Sequence, residues 1–303
     1  MKRALAVLAS LSLLAWLLMQ AGWQGLADLA RRLPPEALAI GCAGFLLSYL
    51  LRAARVHDEF RSASERRFGS CLRIVLIHNA MVNVVPFRGG EAAFPLLLRQ
   101  AFGTPLGRAV ASLFWFRLQD ALVVAVIALL VWPGLPAPVR IAAITGLAAG
   151  AWYLPRWARA PHDWAEGGAA AAKLGKLRDA FAESTHHARL GWVWTVANWS
   201  VKLATQAWLL GTLLASGLSV GAAGALGAEL SAILPVQGVA GFGTYEAAAA
   251  AALLPHGIAF QAGLQAALVL HLFVIACAVS AGALAWMLPG HARRGAGEHP
   301  PVS

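Results

Sequence analysis

Apolar runs long enough to cross a lipid bilayer recur along the whole chain, and the charged residues are concentrated between these runs. A membrane-spanning helix needs about 20 consecutive, mostly apolar residues. Only 13% of the 303 residues are charged, whereas soluble domains carry about 25% charged residues. The sequence therefore predicts an all-α polytopic membrane protein and excludes an ordinary soluble domain.

Six of the runs are predicted to be full transmembrane helices. They occupy about residues 4–23, 36–51, 109–132, 141–154, 191–214 and 265–288. No small-x-small cleavage site follows the first run, so we expect it to be retained as a span and not removed as a signal peptide. The cysteines Cys42, Cys71 and Cys277 have neither metal-site nor disulfide spacing.

The net charge of +10 comes from basic residues in short segments between the runs. Residues 52–73 alone contain six arginines. Basic segments of this kind are typical of cytoplasmic loops that meet anionic lipids, so membrane lipids and not nucleic acid are the predicted partners. Residues 52–73 are accordingly predicted to be a cytoplasmic loop.

Two apolar stretches are interrupted by polar residues in the same order. Residues 78–91 and residues 234–246 each carry a proline, then glycines, then a glutamate. Ionisable groups at membrane depth cost about 2.5–3.5 kcal/mol each on insertion scales and are functional by default. The residues expected to break the helices are Pro86, Gly89, Gly90, Pro235, Gly238, Gly241 and Gly243.

The distribution of charge decides how these two stretches enter the membrane. If both crossed it fully, 11 of the 24 Lys and Arg residues would lie inside and 10 outside. If both are re-entrant hairpins, 18 lie inside and 3 outside, which satisfies the positive-inside rule. The predicted fold is therefore about six full spans and two re-entrant hairpins in an inverted-topology repeat, an arrangement of many transporters.

This topology predicts a single transmembrane domain over residues 1–290. Its first repeat covers about residues 1–136 and its second about residues 137–290, and residues 291–303 form a short cytoplasmic tail. We expect the protein in the bacterial cytoplasmic membrane, with both its N-terminus and its C-terminus in the cytoplasm.

The charged residues inside the predicted hairpins are the first candidates for a substrate-binding site. Arg88 and Glu91 follow the first break, and Glu246 follows the second. Near half-helix N-termini they would join free backbone N–H groups in an anion site, with Arg88 as a fork for phosphate or carboxylate. The alternative is that Arg88 and Glu246 pair with each other and hold the two hairpins together.

Further candidates for substrate binding lie on the neighbouring helical segments. Arg117 and Asp120 share a helix face, where they form either a local ion pair or part of the site. Asn79 and Asn83 share the helical face that precedes the first break. Lys202 lies on a polar stripe that faces the bundle interior, either for interhelical hydrogen bonding or as cavity lining.

Several other features are assigned no binding role. Glu229 is interpreted as an interfacial residue and His271 as a hydrogen-bonded core residue. The chain has no Gly-x-x-x-x-Gly-Lys-Ser/Thr motif for ATP and no Gly-x-Ser-x-Gly elbow for a nucleophile. No cluster has the spacing of a metal-dependent lipid phosphotransferase, so no metal or cofactor is predicted.

The same two stretches and one span carry a family resemblance. Its residues are Asn83, Pro86, Arg88, Gly90 and Glu91, then Arg117 and Asp120, then Pro235, Gly238, Gly241, Gly243 and Glu246. With these motifs in this order, the chain resembles the transmembrane region of lysylphosphatidylglycerol synthases, a flippase-like family whose stand-alone members include hopanoid-associated proteins. It departs from the family at Phe94 and Phe116, where the family often has an arginine and an acidic residue.

The resemblance implies lipid translocation without the soluble aminoacyl-transfer domain of the synthases. The leading prediction is a transporter, not an enzyme, that moves a polar or anionic-headed lipid between leaflets without ATP. One alternative is a membrane-embedded enzyme that acts on a lipid phosphate. The other is a non-transporting assembly partner of lipid-biosynthesis enzymes, and the oligomeric state is left open.

Overall fold

The computed structural model describes residues 23–31, 33–63, 68–85, 89–132, 134–164, 168–185, 189–231 and 241–287. Over these ranges the chain forms eleven α-helices and no β-strand. The first five are α1 (Trp23–Arg31), α2 (Pro35–Glu59), α3 (Phe68–Val84), α4 (Ala93–Phe102) and α5 (Leu106–Val131). The remaining six are α6 (Ala137–Arg159), α7 (Ala169–Ser184), α8 (Gly191–Leu213), α9 (Leu218–Ser231), α10 (Thr244–Leu253) and α11 (Phe260–Met287).

Several of these helices are long and apolar enough to cross a membrane. α2, α5, α6 and α11 each meet that criterion alone, and α8 meets it together with α9, although the two are bent by 117° at the break between them. The predicted all-helical membrane fold is thereby confirmed, while the number of spans and re-entrant hairpins stays a prediction. The predicted first span lies outside the described residues except for Trp23.

The helix that carries the predicted second span is longer than that span. α2 does not stop at Leu51 but continues to Glu59, so the arginines of its last two turns belong to a helix and not to a loop. The buried positions of α2 recur every three or four residues through the polar part, as expected for one continuous helix face. They include Phe45, Ser48, Tyr49, Arg55, Val56 and Glu59.

α2 and α8 run antiparallel through the centre of the bundle. In the middle of both helices the hydroxyl of Ser48 donates a 2.7 Å hydrogen bond to Oδ1 of Asn198. Towards the end of α2, Asp58 accepts a 2.7 Å hydrogen bond from the backbone N–H of Leu190, which precedes α8. The large buried core cluster contains residues of both helices, and this pair has the most extensive helix–helix contact among the described residues.

Small residues bring the remaining helices close to one another. α11 packs on α3 where Gly282 faces Ala80, and α9 packs on α8 where Gly221 faces the backbone of Ala207. In membranes, where lipid is as apolar as leucine, such small residues let backbones approach and gain dispersion contacts. The first interrupted stretch is therefore held, through α3, against α11 of the opposite half of the chain. The second is held, through α9, against α8 of its own half.

α6 and α7 lie at the periphery of the bundle. The apolar window of α6 contains no buried residue, and the main contacts of the helix are with α5 and α7. A separate hydrophobic cluster of Trp115, Ala158 and Phe181 joins α5, α6 and α7 at this edge. Most of α6 thus presents its side chains to the lipid.

Replacement of Gly282 by alanine tests the packing of α11 on α3. A Cβ at this position would overlap Ala80, so we expect Gly282→Ala to lower the stability by about 1–3 kcal/mol, the usual cost of overpacking. Gly146, on the lipid-facing side of α6, has open space where a methyl group would lie. Gly146→Ala should therefore be neutral or slightly stabilising, because alanine favours helices by about 1 kcal/mol. Thermal unfolding of both purified variants in one detergent measures the difference, and equal effects would contradict this packing.

Candidate functional site

The interrupted ends of α3 and α9 meet at a central cavity of about 370 Å³. Side chains of α2, α3, α5, α8, α9, α10 and α11 line it. Six of the lining residues are Asp, Glu, Lys or Arg, namely Arg52, Glu91, Arg117, Asp120, Lys202 and Glu229. Because charge is costly at membrane depth, this concentration makes the cavity the candidate functional site.

The first interruption positions Glu91 at the cavity. α3 ends at Val84, and a short 3-10 helix over Gly89–Ala92 precedes α4. Gly90 is buried so close to the backbone of Met81 that no side chain would fit, which explains the glycine. Glu91 then lies 2.7 Å from Nη2 of Arg117 through Oε1 and 3.3 Å from Nε2 of His78 through Oε2.

The second interruption positions Glu246 behind the cavity wall. Gly241 and Gly243 have φ values of +82° and +89°, a region that favours glycine. The backbone N–H of Gly243 donates a 2.7 Å hydrogen bond to Oε2 of Glu246, which caps the first turn of α10. Oε1 of Glu246 lies 2.6 Å from Nδ1 of His271, and Glu246 is fully buried.

Asp120 is held mainly by helix α2 and not by its own helix. Its Oδ1 accepts hydrogen bonds from Nη1 of Arg55 at 2.7 Å and from the indole of Trp199 at 3.0 Å. The ion pair expected with Arg117, three residues away, has a longer separation of 3.7 Å. Arg117 and Asp120 therefore both face the cavity, but neither has its shortest bond within α5. Arg117 bonds Glu91 in the first interruption, and Asp120 bonds Arg55 on α2.

Lys202 is the first of a series of hydrogen-bonded side chains from the second half of the protein. Its Nζ lies 2.7 Å from Oε1 of Glu229, which also accepts a 2.7 Å hydrogen bond from Nε2 of Gln206. The same amide donates to the hydroxyl of Tyr245 at 3.2 Å. Tyr245 stacks on His271 with ring centroids 4.2 Å apart, so the series reaches the residue that bonds Glu246.

Arg52 reaches the cavity from α2. Its Nη1 donates a 2.6 Å hydrogen bond to Oδ1 of Asn79, and Asn83 donates a 2.7 Å hydrogen bond to the backbone carbonyl of Asn79. All three side chains line the cavity. Among the described residues, no carboxylate forms an ion pair with Arg52.

A family model described as the lysylphosphatidylglycerol synthase TM region matches residues 3–288. The chain belongs to this family. Neither a curated protein nor a solved structure matches the chain significantly. Membership in the lysylphosphatidylglycerol synthase TM family confirms the resemblance seen in the sequence and supports a function connected with membrane lipids.

The structure of this family member brings most of the predicted site residues together. The residues that line one cavity are Asn79, Asn83, Glu91, Arg117, Asp120 and Lys202. Glu246 lies behind the wall, where His271 and Tyr245 separate it from the cavity. Arg88 lies outside the described residues, as do the predicted breaks Pro86, Pro235 and Gly238, so the proposed pair of Arg88 with Glu246 stays a prediction.

Three functional candidates are missed or misassigned by the sequence patterns alone. The positive-inside rule places Arg52 and Arg55 in a loop, although Arg55 continues the buried spacing that begins at Phe45 in the same helix and Arg52 is half-buried beside it. Glu229, interpreted as interfacial, is buried and lines the cavity. Glu229 lies 27 residues after Lys202, just as Asn79 lies 27 residues after Arg52. This equal spacing can be read from the sequence and could have identified Glu229 as a site residue.

The described residues contain no group of three His, Cys, Asp or Glu side chains that could hold a metal ion. The acids of the site are bonded to arginine, lysine or imidazole and are thus arranged as ion pairs. Such an arrangement suits the binding of a charged or polar head group, since a ligand can exchange for part of each pair.

Loss of the Asp120 carboxylate tests the energetic role of the Arg55 pair in this family member. Asp120→Ala leaves Arg55 buried without its Asp120 partner, so we expect a loss of about 3–5 kcal/mol. The double variant Arg55→Met with Asp120→Ala should recover part of that loss, because it removes the uncompensated charge as well. Unfolding of the two single variants and the double variant measures the coupling. A double variant less stable than Asp120→Ala would contradict this account.

Proposed function

We propose that the protein moves a polar or anionic-headed lipid between the two leaflets of a bacterial cytoplasmic membrane without ATP. The observation that carries this proposal is the cavity lined by six Asp, Glu, Lys and Arg residues within a bundle of apolar helices. A volume of about 370 Å³ lies at the lower end of the range of about 300–1,000 Å³ typical of small-ligand sites. It suits one head group, while the acyl chains stay in the bilayer.

In this proposal the two halves of the chain form inverted-topology repeats. α2, α3–α4 and α5 of the first half correspond to α8, α9–α10 and α11 of the second. Two polar contacts support the correspondence at one sequence offset: Arg52 bonds Asn79, and Lys202 bonds Glu229. Each contact joins residues 27 positions apart, and the first contact is shifted by 150 residues to give the second.

The second polar contact of each half follows the same pattern. Glu91 bonds Arg117, 26 residues later, and Glu246 bonds His271, 25 residues later. In both cases a glutamate just after the glycines of an interruption bonds a base in the middle of the next long helix. Differences of a few residues are expected, because the two interruptions have different lengths.

The contact between α2 and α8 supports a two-fold relation between the halves. Ser48 and Asn198 are also 150 residues apart, and they hydrogen-bond to each other. Equivalent residues contact each other where a two-fold axis passes between two copies of the same element. The contact of α3 with α11 at Ala80 likewise has a counterpart in the cluster that joins α9 to α5 at Leu230 and Ala128.

Together these relations suggest how a head group would pass. The site lies between the repeats, near the tips of both interruptions, as in transporters whose broken helices meet at the midplane. Relative rocking of the repeats about the α2–α8 contact would expose the cavity to each side in turn. With no ATP motif, movement would be downhill or coupled to an ion.

The Glu91→Gln variant tests this function. We expect head-group movement to fall about tenfold or more, equivalent to about 1.4 kcal/mol, because Arg117 loses its charged partner in the cavity. Proteoliposomes that contain a panel of fluorescent lipids, with a membrane-impermeant quencher added outside, report movement between leaflets. Glu36→Gln is the matched control, since Glu36 is exposed in the first turn of α2.

The outcomes separate this proposal from the two alternatives. If folded wild-type protein moves no lipid, the proposed transport function is wrong. Release of inorganic phosphate from a lipid phosphate would then favour an enzyme, and stable co-purification with lipid-biosynthesis enzymes would favour an assembly partner. Unchanged movement in Glu91→Gln would remove Glu91 from the transport step.

A further inference from the structure

Glu246 is a fully buried carboxylate that has one basic partner among the described residues, His271. Its Oε2 accepts the backbone N–H of Gly243, and its Oε1 lies 2.6 Å from Nδ1 of His271. Lys202, the other base of this half at the site, is bonded to Glu229. Because a carboxylate at this depth is costly without a counter-charge, a proton shared by Glu246 and His271 stabilises the pair.

The first half of the chain differs at the corresponding pair. Glu91 bonds Arg117 at 2.7 Å, and a guanidinium keeps its charge in proteins. His78, which lies 3.3 Å from Glu91, can therefore lose a proton without leaving that carboxylate unbalanced. His271 has no such arginine beside its carboxylate, and an imidazole can gain and lose a proton, which a guanidinium cannot.

The other edge of the His271 ring faces the cavity. Tyr245 and Phe242 lie against the ring, with centroids 4.2 Å and 4.8 Å away. His271 and Gly241 both line the cavity, and a Cβ on Gly241 would lie 3.6 Å from Cε1 and 3.8 Å from Nε2 of the ring. The glycine thus leaves this edge uncovered. A proton can pass between the cavity and Nε2 while Nδ1 stays bonded to Glu246.

The other charged and titratable groups around His271 do not fix its charge. The six Asp, Glu, Lys and Arg residues of the cavity lining are three cations and three carboxylates, so their charges cancel. The remaining groups towards α11 are the exposed pair Asp28 and Arg31 on α1, Cys42 and Tyr49 on α2, Arg73 and His78 on α3, and Tyr245 on α10. Arg73 bonds the carbonyl of Ala285, about 20 Å further along α11. Thiols and phenols are ordinarily neutral at pH 7. Glu246 with His271 is therefore the pair at the cavity wall whose net charge a single proton decides.

We propose that the pair of Glu246 and His271 is the proton-binding site of the cavity and that one proton crosses the membrane for each lipid moved. This inference rests on the proposed function and identifies the coupling ion. The proton enters at Nε2 from one side of the membrane and leaves from Nε2 to the other side. Its release leaves a net negative charge on the pair, which is least costly while the cavity is open to water. The cost of charge thus ties proton exchange to the orientation of the cavity.

The test is the distribution of lipid between leaflets under a pH gradient. Phosphatidylcholine vesicles contain the full chain and one acyl-labelled fluorescent probe, which is phosphatidylglycerol, phosphatidylethanolamine or glucosyl-diacylglycerol. The external pH is the same in every sample, and the internal pH is one unit lower, equal or one unit higher. Potassium and valinomycin hold the membrane potential at zero. External dithionite then bleaches the label of the outer leaflet, and protein-free vesicles report passive redistribution.

Proton coupling predicts a definite ratio. One pH unit is a tenfold ratio of proton activity, so one proton per lipid should bring a probe that the wild type moves to about ten to one between leaflets. The opposite gradient should reverse this ratio. We expect Glu246→Gln, which keeps the size of the side chain, and His271→Gln to leave the ratio near one whatever their rate of movement. The matched controls, which should keep the tenfold ratio, are Glu36→Gln, at the exposed start of α2, and His256→Gln, outside the cavity lining.

Two results would overturn the proposal while leaving transport intact. One is a ratio near one in both gradients for every probe that the wild type moves, and the other is a tenfold ratio retained in Glu246→Gln. Where a variant moves no probe even without a gradient, nitrogen-15 spectra of ring-labelled histidine in detergent-purified wild-type protein decide. The His271 signal, identified by its loss in His271→Gln, should shift with pH, and a signal that does not shift would refute the proton site. If the wild type moves none of the probes, the proposed function fails, and the same spectra decide about the pair separately.

Discussion

The cost of charge inside a membrane is the constraint on which this structure depends. Four carboxylates at the cavity or behind its wall are each bonded to a base on another helix or turn, so neutralisation and tertiary contact are achieved by the same bonds. These bonds are Glu91 to Arg117, Asp120 to Arg55, Glu229 to Lys202 and Glu246 to His271. The two interruptions are thereby tied to the long helices α5, α8 and α11, and their depth in the bundle is set.

Close packing makes these bonds possible. An arginine or lysine reaches its partner at 2.7 Å only if the helix axes are near one another, and glycines at the contacts of α3 with α11 and of α8 with α9 allow that approach. In lipid, apolar burial alone gives little preference for one helix arrangement over another. Small residues therefore set the spacing between helices, and the polar bonds select which faces meet.

Much of this arrangement could be predicted from the sequence, for a physical reason. Ionisable residues in apolar runs are rare enough to identify Glu91, Arg117, Asp120 and Lys202 individually, and the order of glycines and glutamate identifies both interruptions. Arg52 and Arg55 are missed because a basic cluster at the end of an apolar run fits the positive-inside rule for a loop. The same cluster also fits the three-to-four-residue spacing of a helix face. Only the tertiary partners Asn79 and Asp120 distinguish the two, and sequence order does not supply partners.

The position of Trp199 has a practical consequence. Its indole N–H bonds Asp120, the ammonium of Lys202 lies 4.6 Å from the ring centre, and the ring borders the cavity. Indole emission shifts with the electric field across the ring, and both neighbours are charges that an incoming head group would perturb. One of the twelve tryptophans of the chain thus lies at the site itself, where its share of the emission would respond to occupancy without any attached dye.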